Sequence, residues 1–251
     1  MDLTFLSEND LESIIIPPPQ LTIVGPGKIG KTTFASKFPN PIILWTERGA
    51  AGIKVPKFPA DGPVSDWESL LKCINLIRTE DHDRKTVVLD TIDIALKLAM
   101  KHVIDEKYKG DAAIFEAYKQ GYVPLRNQFR RILKGLSMIR DKRGMNVVVI
   151  THQTHHRGAS IYGEDYKVLG GSLEKECWEM LRDWSDQIGF ASVKIRGKDN
   201  KAQDIGGNKR YLFFDDHPGR MAGCRAGYEL PPEIQLDYEE YAKHMKGKLN
   251  A

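Results

Sequence analysis

The sequence has few cysteines, little net charge and no long apolar run, and each shortage excludes a class of protein. Cys73, Cys177 and Cys224 lie far apart without zinc-ligand spacing, so we expect reduced thiols of a cytoplasmic protein, not a disulfide framework. No apolar run approaches the length of a membrane span, and the acidic N-terminus lacks the basic region of a signal peptide. The net charge is only +3, so any surface for nucleic acid must be local.

One glycine-rich motif points to a specific chemistry. Residues 25–33 fit the phosphate-loop pattern G-x-x-x-x-G-K-[ST]. A buried-strand pattern precedes the loop and a helix pattern follows it, so free N–H groups at a helix start can bind an anion. The alternative is a glycine-rich turn without a ligand. We predict a nucleotide triphosphate site whose contacts are Gly25, Pro26, Gly27, Lys28, Ile29, Gly30, Lys31, Thr32 and Thr33.

The order of apolar segments predicts an α/β fold. Strand patterns alternate with helix patterns up to residue 150, and the strands are apolar on both faces, which is typical of a parallel sheet covered by helices. After Gly171 the pattern changes to a helix followed by strands that we expect to form antiparallel hairpins at the edge of the sheet. We divide the chain into an N-terminal segment (1–19), a core (20–236) and a C-terminal tail (237–251).

Two carboxylates follow predicted strands and are candidates for the chemistry of hydrolysis. Asp90 ends an apolar strand and is the expected Mg²⁺ ligand beside Thr32, with Asp93 as a competing candidate. Glu47 ends another strand, at the edge where open α/β sheets bind ligands, and can activate water there. A surface ion pair with Arg48 is the alternative role of Glu47.

Polar residues after the fourth strand are candidates for sensing the nucleotide. His152 and Gln153 can contact a γ-phosphate or simply complete hydrogen bonds at the edge of the sheet. We expect residues 154–171 to form a long loop, poorly ordered without DNA. Cations in such a loop can follow a phosphate backbone and tyrosines can stack on unpaired bases, although a solvated loop has the same composition. The candidate DNA contacts are Arg157, Tyr162, Tyr166 and Lys167.

Four motifs together resemble a known family. They read Gly-Lys-Ile-Gly-Lys-Thr-Thr-Phe-Ala, Ile-Leu-Trp-Thr-Glu-Arg-Gly, Val-Val-Leu-Asp-Thr and Val-Val-Val-Ile-Thr-His-Gln. In this order they resemble the RecA-type P-loop ATPase core and, more narrowly, phage AAA-family ATPases that include RadA-like single-strand annealing proteins. The resemblance implies a RecA-like fold, hydrolysis of ATP with Mg²⁺, binding of single-stranded DNA, and homo-oligomers in rings or filaments. A single-strand-binding protein is a candidate partner.

The resemblance also assigns roles to matching residues. It makes Lys31 and Thr32 phosphate and Mg²⁺ ligands, Asp90 the metal aspartate and Glu47 the water-activating residue. His152 or Gln153 falls where the family links nucleotide to DNA. Arg225 resembles the family's basic residue before the final Leu-Pro segment and is the candidate catalytic arginine. Arg220 and Arg225 can contact the γ-phosphate of a neighbour in an oligomer, or both can be ordinary surface charges. Two rival functions stay open, a P-loop kinase and a nucleotide-gated module such as a helicase loader or motor accessory.

Overall fold

A computed structural model describes residues 16–159, 165–198, 201–204, 207 and 209–249. The strands are β1 (Gln20–Gly25), β2 (Pro41–Trp45), β3 (Lys57–Phe58), β4 (Thr86–Asp90), β5 (Asn146–Ala159), β6 (Asp165–Gly171), β7 (Gln187–Val193), β8 (Ile195–Lys198), β9 (Lys201–Asp204), β10 (Arg210–Phe213), β11 (Gly223–Cys224) and β12 (Glu233–Gln235). The helices are α1 (Lys31–Ala35), α2 (Trp67–Thr79), α3 (Ile92–Tyr108), α4 (Ala112–Glu116), α5 (Tyr122–Arg143), α6 (Lys175–Trp184) and α7 (Tyr238–His244). None of the helices in these ranges is both long enough and apolar enough to cross a membrane.

The main sheet is mixed but mostly parallel. Its strand order is β12-β10-β7-β1-β5-β4-β2-β3, and the strands from β7 to β3 are all parallel. β10 and β12 extend the sheet antiparallel beyond β7, while β8 and β9 form a separate antiparallel ribbon. These pairings confirm the predicted α/β fold, a mostly parallel sheet flanked by helices with antiparallel strands near the C-terminus.

Apolar side chains on both faces bury the sheet between two helical layers. On one face, strand residues such as Leu89 and Val147 pack with side chains of α2, α3, α5 and α6. On the other face, residues such as Leu21 and Ile23 pack with α1 and α7. Because both faces are covered, the parallel strands are apolar along their length, which is the pattern that predicts this fold.

The predicted C-terminal tail is packed into the core. Tyr241 of α7 is fully buried, and its ring centroid lies 5.7 Å from that of Phe34 in α1. Its hydroxyl donates a hydrogen bond of 2.6 Å to Gln187 Oε1. The segment after residue 236 is therefore a structural part of the second helical layer. Most of the predicted N-terminal segment lies outside the described residues.

The predicted long loop at 154–171 is wrong where the structure describes it. β5 continues to Ala159 and pairs antiparallel with β6, with Gln153 opposite Gly171. The glycines that resemble a loop provide space for packing, because a Cβ on Gly171 would lie 2.6 Å from ring atoms of Trp178. Tyr162 lies outside the described residues.

The parallel strands bring the candidate residues to one edge of the sheet. β1, β2 and β4 all end there, and β5 reaches the same edge between β1 and β4, with Gly25 opposite His152 and Asp90 opposite Ile150. Open α/β sheets bind ligands in the crevice outside these carboxyl ends. This edge therefore contains the candidate site.

Candidate active site

The phosphate loop joins β1 to α1 and requires two of its glycines for steric reasons. At Gly25 the chain runs so close to β7 that an added Cβ would lie 2.6 Å from the carbonyl oxygen of Ala191. Gly30 precedes α1 with φ of 108°, in the left-handed region that favours glycine. These are the two fixed glycines of the motif, so the sequence pattern has a structural cause in this fold.

Lys31 begins α1 and extends back into the loop. Its Nζ donates hydrogen bonds to the carbonyl oxygens of Gly25 at 2.8 Å and Pro26 at 2.9 Å. Burial lowers the pKa of Lys31, while the nearby carboxylates of Asp90 and Glu47 act in the opposite direction. A buried ammonium group whose hydrogen-bond acceptors are neutral gains stability when an anion arrives, as a phosphate oxygen would.

Thr32 and Asp90 meet between the loop and the end of β4. The hydroxyl of Thr32 donates a hydrogen bond of 2.9 Å to Asp90 Oδ2. Burial raises the pKa of Asp90 to about 6, the hydrogen bond from Thr32 opposes this effect, and the carboxylate of Glu47 reinforces it. A cation beside Asp90 would stabilise the ionised carboxylate and so lower its raised pKa.

Two threonines join the ends of β2 and β4. The hydroxyl of Thr46 donates to the carbonyl of Thr91 at 2.9 Å and accepts from the N–H of Thr91 at 2.9 Å. Thr91 lines the cleft, and its hydroxyl is buried with no hydrogen-bond partner among the described residues. With the hydroxyl of Thr32 and the carboxylate of Asp90, it completes a set of oxygen donors of the kind that Mg²⁺ prefers. The residues present therefore fit the predicted metal.

Glu47 follows β2 and faces the cleft. Its carboxylate does not pair with Arg48; the ion-pair partner within reach is His152, with 3.9 Å between Glu47 Oε1 and His152 Nε2. The side chain keeps about a third of its surface exposed, so its carboxylate is accessible to water. The alternative of an ion pair with Arg48 is wrong.

His152 lies in β5, between the phosphate loop and Asp90. Its ring Nδ1 is 2.9 Å from Asp93 Oδ2, and its backbone N–H donates to Asp93 Oδ1 at 3.3 Å. Asp93 is buried at the start of α3 and does not line the cleft. Gln153 pairs with β6 and does not line the cleft either, so of the two predicted sensors the structure places only His152 there.

These elements enclose a cleft of about 470 Å³. It is lined by Gly27, Lys28, Gly30, Lys31, Thr32, Thr33, Glu47, Gly49, Ile53, Asp90, Thr91, Ile150, His152 and Arg210. Arg210, at the start of β10, was not predicted from the sequence. Its Nη1 would lie 3.2 Å from a Cβ on Gly30, so a second cation stands beside the phosphate loop. No motif marks Arg210, because its position depends on the pairing of β10 with β7.

A known protein family matches most of this chain. Residues 18–226 match the family described as the AAA domain. The chain belongs to this family. No curated protein matches the sequence.

Two solved structures are similar to this AAA domain. The RadB recombinase is 17% identical with a TM-score of 0.47, over 85% of this chain and 90% of that one. The flagellar accessory protein FlaH from Methanocaldococcus jannaschii is 10% identical with a TM-score of 0.44, over 92% of each chain.

Arg225 of the AAA domain lies at the opposite edge of the sheet. Its Nη1 is 3.1 Å from Asp186 Oδ1, and its guanidinium also donates to the carbonyl of Asp183. Asp186 precedes β7 and is beside Gln20, at the start of β1. Arg225 therefore does not contact the cleft of its own chain, and its action in the cleft of a neighbour stays a prediction. Arg220 packs on the ring of Phe213.

Asp186 is the centre of this second polar cluster. Its carboxylate is buried and accepts from the N–H of Gln20 at 3.0 Å, Arg140 at 3.1 Å and the hydroxyl of Tyr228 at 3.2 Å, besides Arg225. We expect Asp186→Asn to lower the free energy of unfolding by about 2 kcal/mol, because hydrogen bonds to a buried charge are lost or weakened. Urea denaturation measures this difference.

The matched control for Asp186→Asn is Asp141→Asn. Asp141 also pairs with Arg140, at 2.9 Å, but its side chain is more than half exposed. We expect this control to change the free energy of unfolding by less than about 0.5 kcal/mol. Equal effects of the two substitutions would contradict the central role of Asp186.

The hairpin of β5 and β6 carries a pair of like charges. Arg157 and Lys167 are directly opposite in the antiparallel register, and both side chains are exposed. Like charges at opposite positions repel each other, and both side chains can contact the same anionic ligand. Two of the predicted DNA contacts are thus adjacent on one face of the hairpin.

Tyr166 lies on the other face of the hairpin. It is opposite Gly158, and a Cβ on that glycine would lie 2.6 Å from the tyrosine ring. His156 is on the same face, where it stacks on Trp178 and its Nε2 is 2.8 Å from the carbonyl oxygen of Gly171. Alternate residues of a strand face opposite sides, so Tyr166 is on the face opposite to Arg157 and Lys167, and its contact with DNA stays a prediction.

Proposed function

We propose that this AAA domain protein is a Mg²⁺-dependent ATPase that binds single-stranded DNA and supports phage-type recombination or strand annealing. The observation that carries the proposal is the convergence of Lys31, Thr32, Asp90 and Glu47 on one cleft. Their charges and hydrogen-bonding groups are those that phosphoryl transfer to water requires. The family match supports nucleotide chemistry, and the resemblance of the motifs supports the DNA transaction.

In the proposed reaction, the protein positions a water molecule and takes up its proton. The water oxygen forms a bond to the γ-phosphorus, the bond from that phosphorus to the β–γ bridging oxygen breaks, and ADP leaves with the electron pair. Glu47 accepts the proton from the water. Lys31 holds oxygens of the β- and γ-phosphates. Thr32, Asp90 and the free hydroxyl of Thr91 would hold Mg²⁺, which neutralises charge on the phosphates when bound.

Measuring phosphate and ADP release, with and without single-stranded DNA, separates this proposal from its rivals. We expect equal amounts of phosphate and ADP and a faster rate with DNA. A kinase would instead need an added acceptor and would transfer the phosphoryl group to it without release of phosphate. A nucleotide-gated module would bind ATP with little turnover under both conditions, and that result would contradict the proposal.

The hairpin is the proposed contact with DNA because the same strand reaches the nucleotide cleft. β5 carries His152 in the cleft and Arg157 five residues further on, about 17 Å away in an extended strand. A single strand offers regularly spaced phosphates that Arg157 and Lys167 can contact together. Nucleotide binding near the middle of β5 and DNA binding near its C-terminal end would thus be coupled through one strand.

We expect Arg157→Ala and Lys167→Ala each to reduce the slope of log affinity against log salt by about 0.7 for single-stranded DNA, because each removes one neutralised phosphate. Fluorescence anisotropy with a labelled oligonucleotide, in the presence of ATP, measures the slope. Lys142→Ala is the matched control, since Lys142 is exposed at the end of α5, at the opposite edge of the sheet. Unchanged slopes for both hairpin variants would exclude this face as the DNA contact.

The raised pKa of Asp90 predicts that binding of Mg²⁺ depends on pH. A proton and the metal compete for this carboxylate, so metal affinity should fall as the pH drops through about 6. We expect affinity for Mg²⁺ in the ADP complex to be about tenfold weaker at pH 5 than at pH 7.5 through Asp90 alone. Calorimetry on the parent and on Asp90→Asn separates this effect from protonation of ADP. An equal pH dependence in both proteins would contradict it.

We also propose that the protein works as a homo-oligomer, a ring or a filament, and meets a single-strand-binding protein on DNA. The resemblance to oligomeric RecA-type ATPases supports this assembly. In such an assembly an arginine of a neighbour would complete the cleft, and Arg225 is the candidate that the sequence predicts. Light scattering with and without ATP and DNA measures the oligomeric state.

A further inference from the structure

Three side chains lie in a row that starts behind the wall of the cleft and ends inside the cleft, in the order Asp93, His152 and Glu47. Asp93 Oδ2 is 2.9 Å from Nδ1 of His152, and Nε2 of the same ring is 3.9 Å from Glu47 Oε1. We propose that Asp93 is a positioning residue that fixes the histidine ring so that Nε2 and Glu47 together orient the attacking water. This inference rests on the proposed ATPase function and adds a residue to it.

The contacts of Asp93 determine which ring nitrogen carries the proton. The carboxylate uses one oxygen for the backbone N–H of His152 and the other for the ring, so the ring is held at two points. An ionised carboxylate can only accept hydrogen bonds, so Nδ1 must donate. In the neutral ring Nε2 is then an acceptor directed at the side of the cleft where Glu47 lies.

The distance between Nε2 and Glu47 fits a shared water. At 3.9 Å the two groups are too far apart for a direct hydrogen bond, and both accept hydrogens when the histidine is neutral and the glutamate is ionised. One water can donate one hydrogen to each, which leaves an oxygen lone pair directed away from both acceptors. That orientation suits attack on a γ-phosphorus, and Glu47 is the acceptor that takes up the proton in the proposed reaction.

This arrangement also gives Asp93 a role different from that of a metal ligand, which the sequence suggests. As a metal ligand or as the general base it would have to face the nucleotide, but it is buried behind His152 and does not line the cleft. Asp93 therefore acts through the histidine. At metal-binding histidines, loss of such an orienting carboxylate costs about 10–100-fold in affinity or activity.

The first test is a long-range ¹H–¹⁵N spectrum of protein labelled at histidine, with the His152 signals identified by their loss in His152→Gln. At a pH where the ring is neutral, we expect the proton of His152 on Nδ1 in the parent protein. In Asp93→Asn the amide can donate to Nδ1, so we expect the proton to move to Nε2. Asp105→Asn, a matched change at an exposed position of the same helix, should leave the spectrum unchanged.

The second test is steady-state hydrolysis of Mg·ATP together with nucleotide affinity. We expect Asp93→Asn to lower kcat about 10–100-fold with an unchanged Kd for ATP, since the residue does not touch nucleotide. A neutral His152 with its proton on Nε2 in the parent, or a parental kcat in folded Asp93→Asn, would overturn the proposal. If the parent has no ATPase activity, the proposed function fails and takes the catalytic role of Asp93 with it, while the spectrum still decides the ring arrangement.

Discussion

Replacement of Lys31 with alanine should abolish most ATP hydrolysis and leave the fold intact. Nζ of Lys31 lies inside the phosphate loop, on the carbonyl oxygens of Gly25 and Pro26, and it is the buried cation of the cleft. In the transition state it would face charge that develops on the transferred phosphoryl group. Loss of one such preorganised charge costs about 10²–10³-fold in kcat. Alanine is the best helix former, so α1 can still begin at this position.

The measurement is phosphate release at saturating ATP, with circular dichroism to check the fold. Lys37→Ala is the matched control, because Lys37 is exposed at the end of the same segment and its ion pair among the described residues is with Asp237, at 3.4 Å. We expect the control to turn over at the parental rate. A folded Lys31→Ala protein with the parental kcat would show that hydrolysis occurs elsewhere and would remove the basis of the proposed function.

The phosphate loop is predictable from sequence because its requirements are local. Gly25 must leave space for the carbonyl of Ala191, and Gly30 must adopt a positive φ. Both requirements select glycine at fixed positions of the motif, so the sequence shows them directly. The parallel strands are predictable for a similar reason, since burial on both faces makes them apolar throughout. Asp90 and Glu47 could be selected because each follows such a strand.

The hairpin could not be predicted because glycine has two physical uses that look alike in a sequence. In a free loop it increases conformational freedom, whereas in β5 and β6 it allows close approach of large rings. A Cβ on Gly170 would lie 2.9 Å from Nε1 of Trp178, and one on Gly158 would meet the ring of Tyr166. The position of α6 and the pairing of β5 with β6 distinguish the two uses, and no local pattern of the sequence shows either of them.

The contacts of His152 were also beyond prediction. Asp93 is 59 positions away in sequence, and the two meet because β5 lies beside β4 in the sheet. Arg210 reaches the phosphate loop through the antiparallel pairing of β10 with β7. Spacing along the sequence can identify residues that act together within one segment of the chain. His152, Asp93 and Arg210 come from distant segments, and the order of the strands in the sheet determines what each of them contacts.

Glu47→Gln should preserve nucleotide binding and lose turnover. The amide keeps the size of the side chain but cannot accept a proton from water, and loss of a general base costs about 10²–10⁴-fold in kcat. We expect the Kd for ATP to stay at the parental value, because the phosphate contacts come from the loop. Phosphate release and calorimetry measure the two quantities. Glu106→Gln is the matched control, at an exposed position of α3.

A double-mutant cycle tells whether Glu47 and Asp93 act on the same water. If His152 and Glu47 bind the same water, Glu47→Gln already disturbs the water that Asp93 helps to orient. Adding Asp93→Asn to Glu47→Gln should then lower kcat much less than Asp93→Asn lowers it in the parent. Full additivity would mean that the two residues contribute separately. If Glu47→Gln alone retains the parental kcat, His152 Nε2 becomes the candidate acceptor, because it faces the side of the cleft where Glu47 lies and Asp93 is engaged behind it.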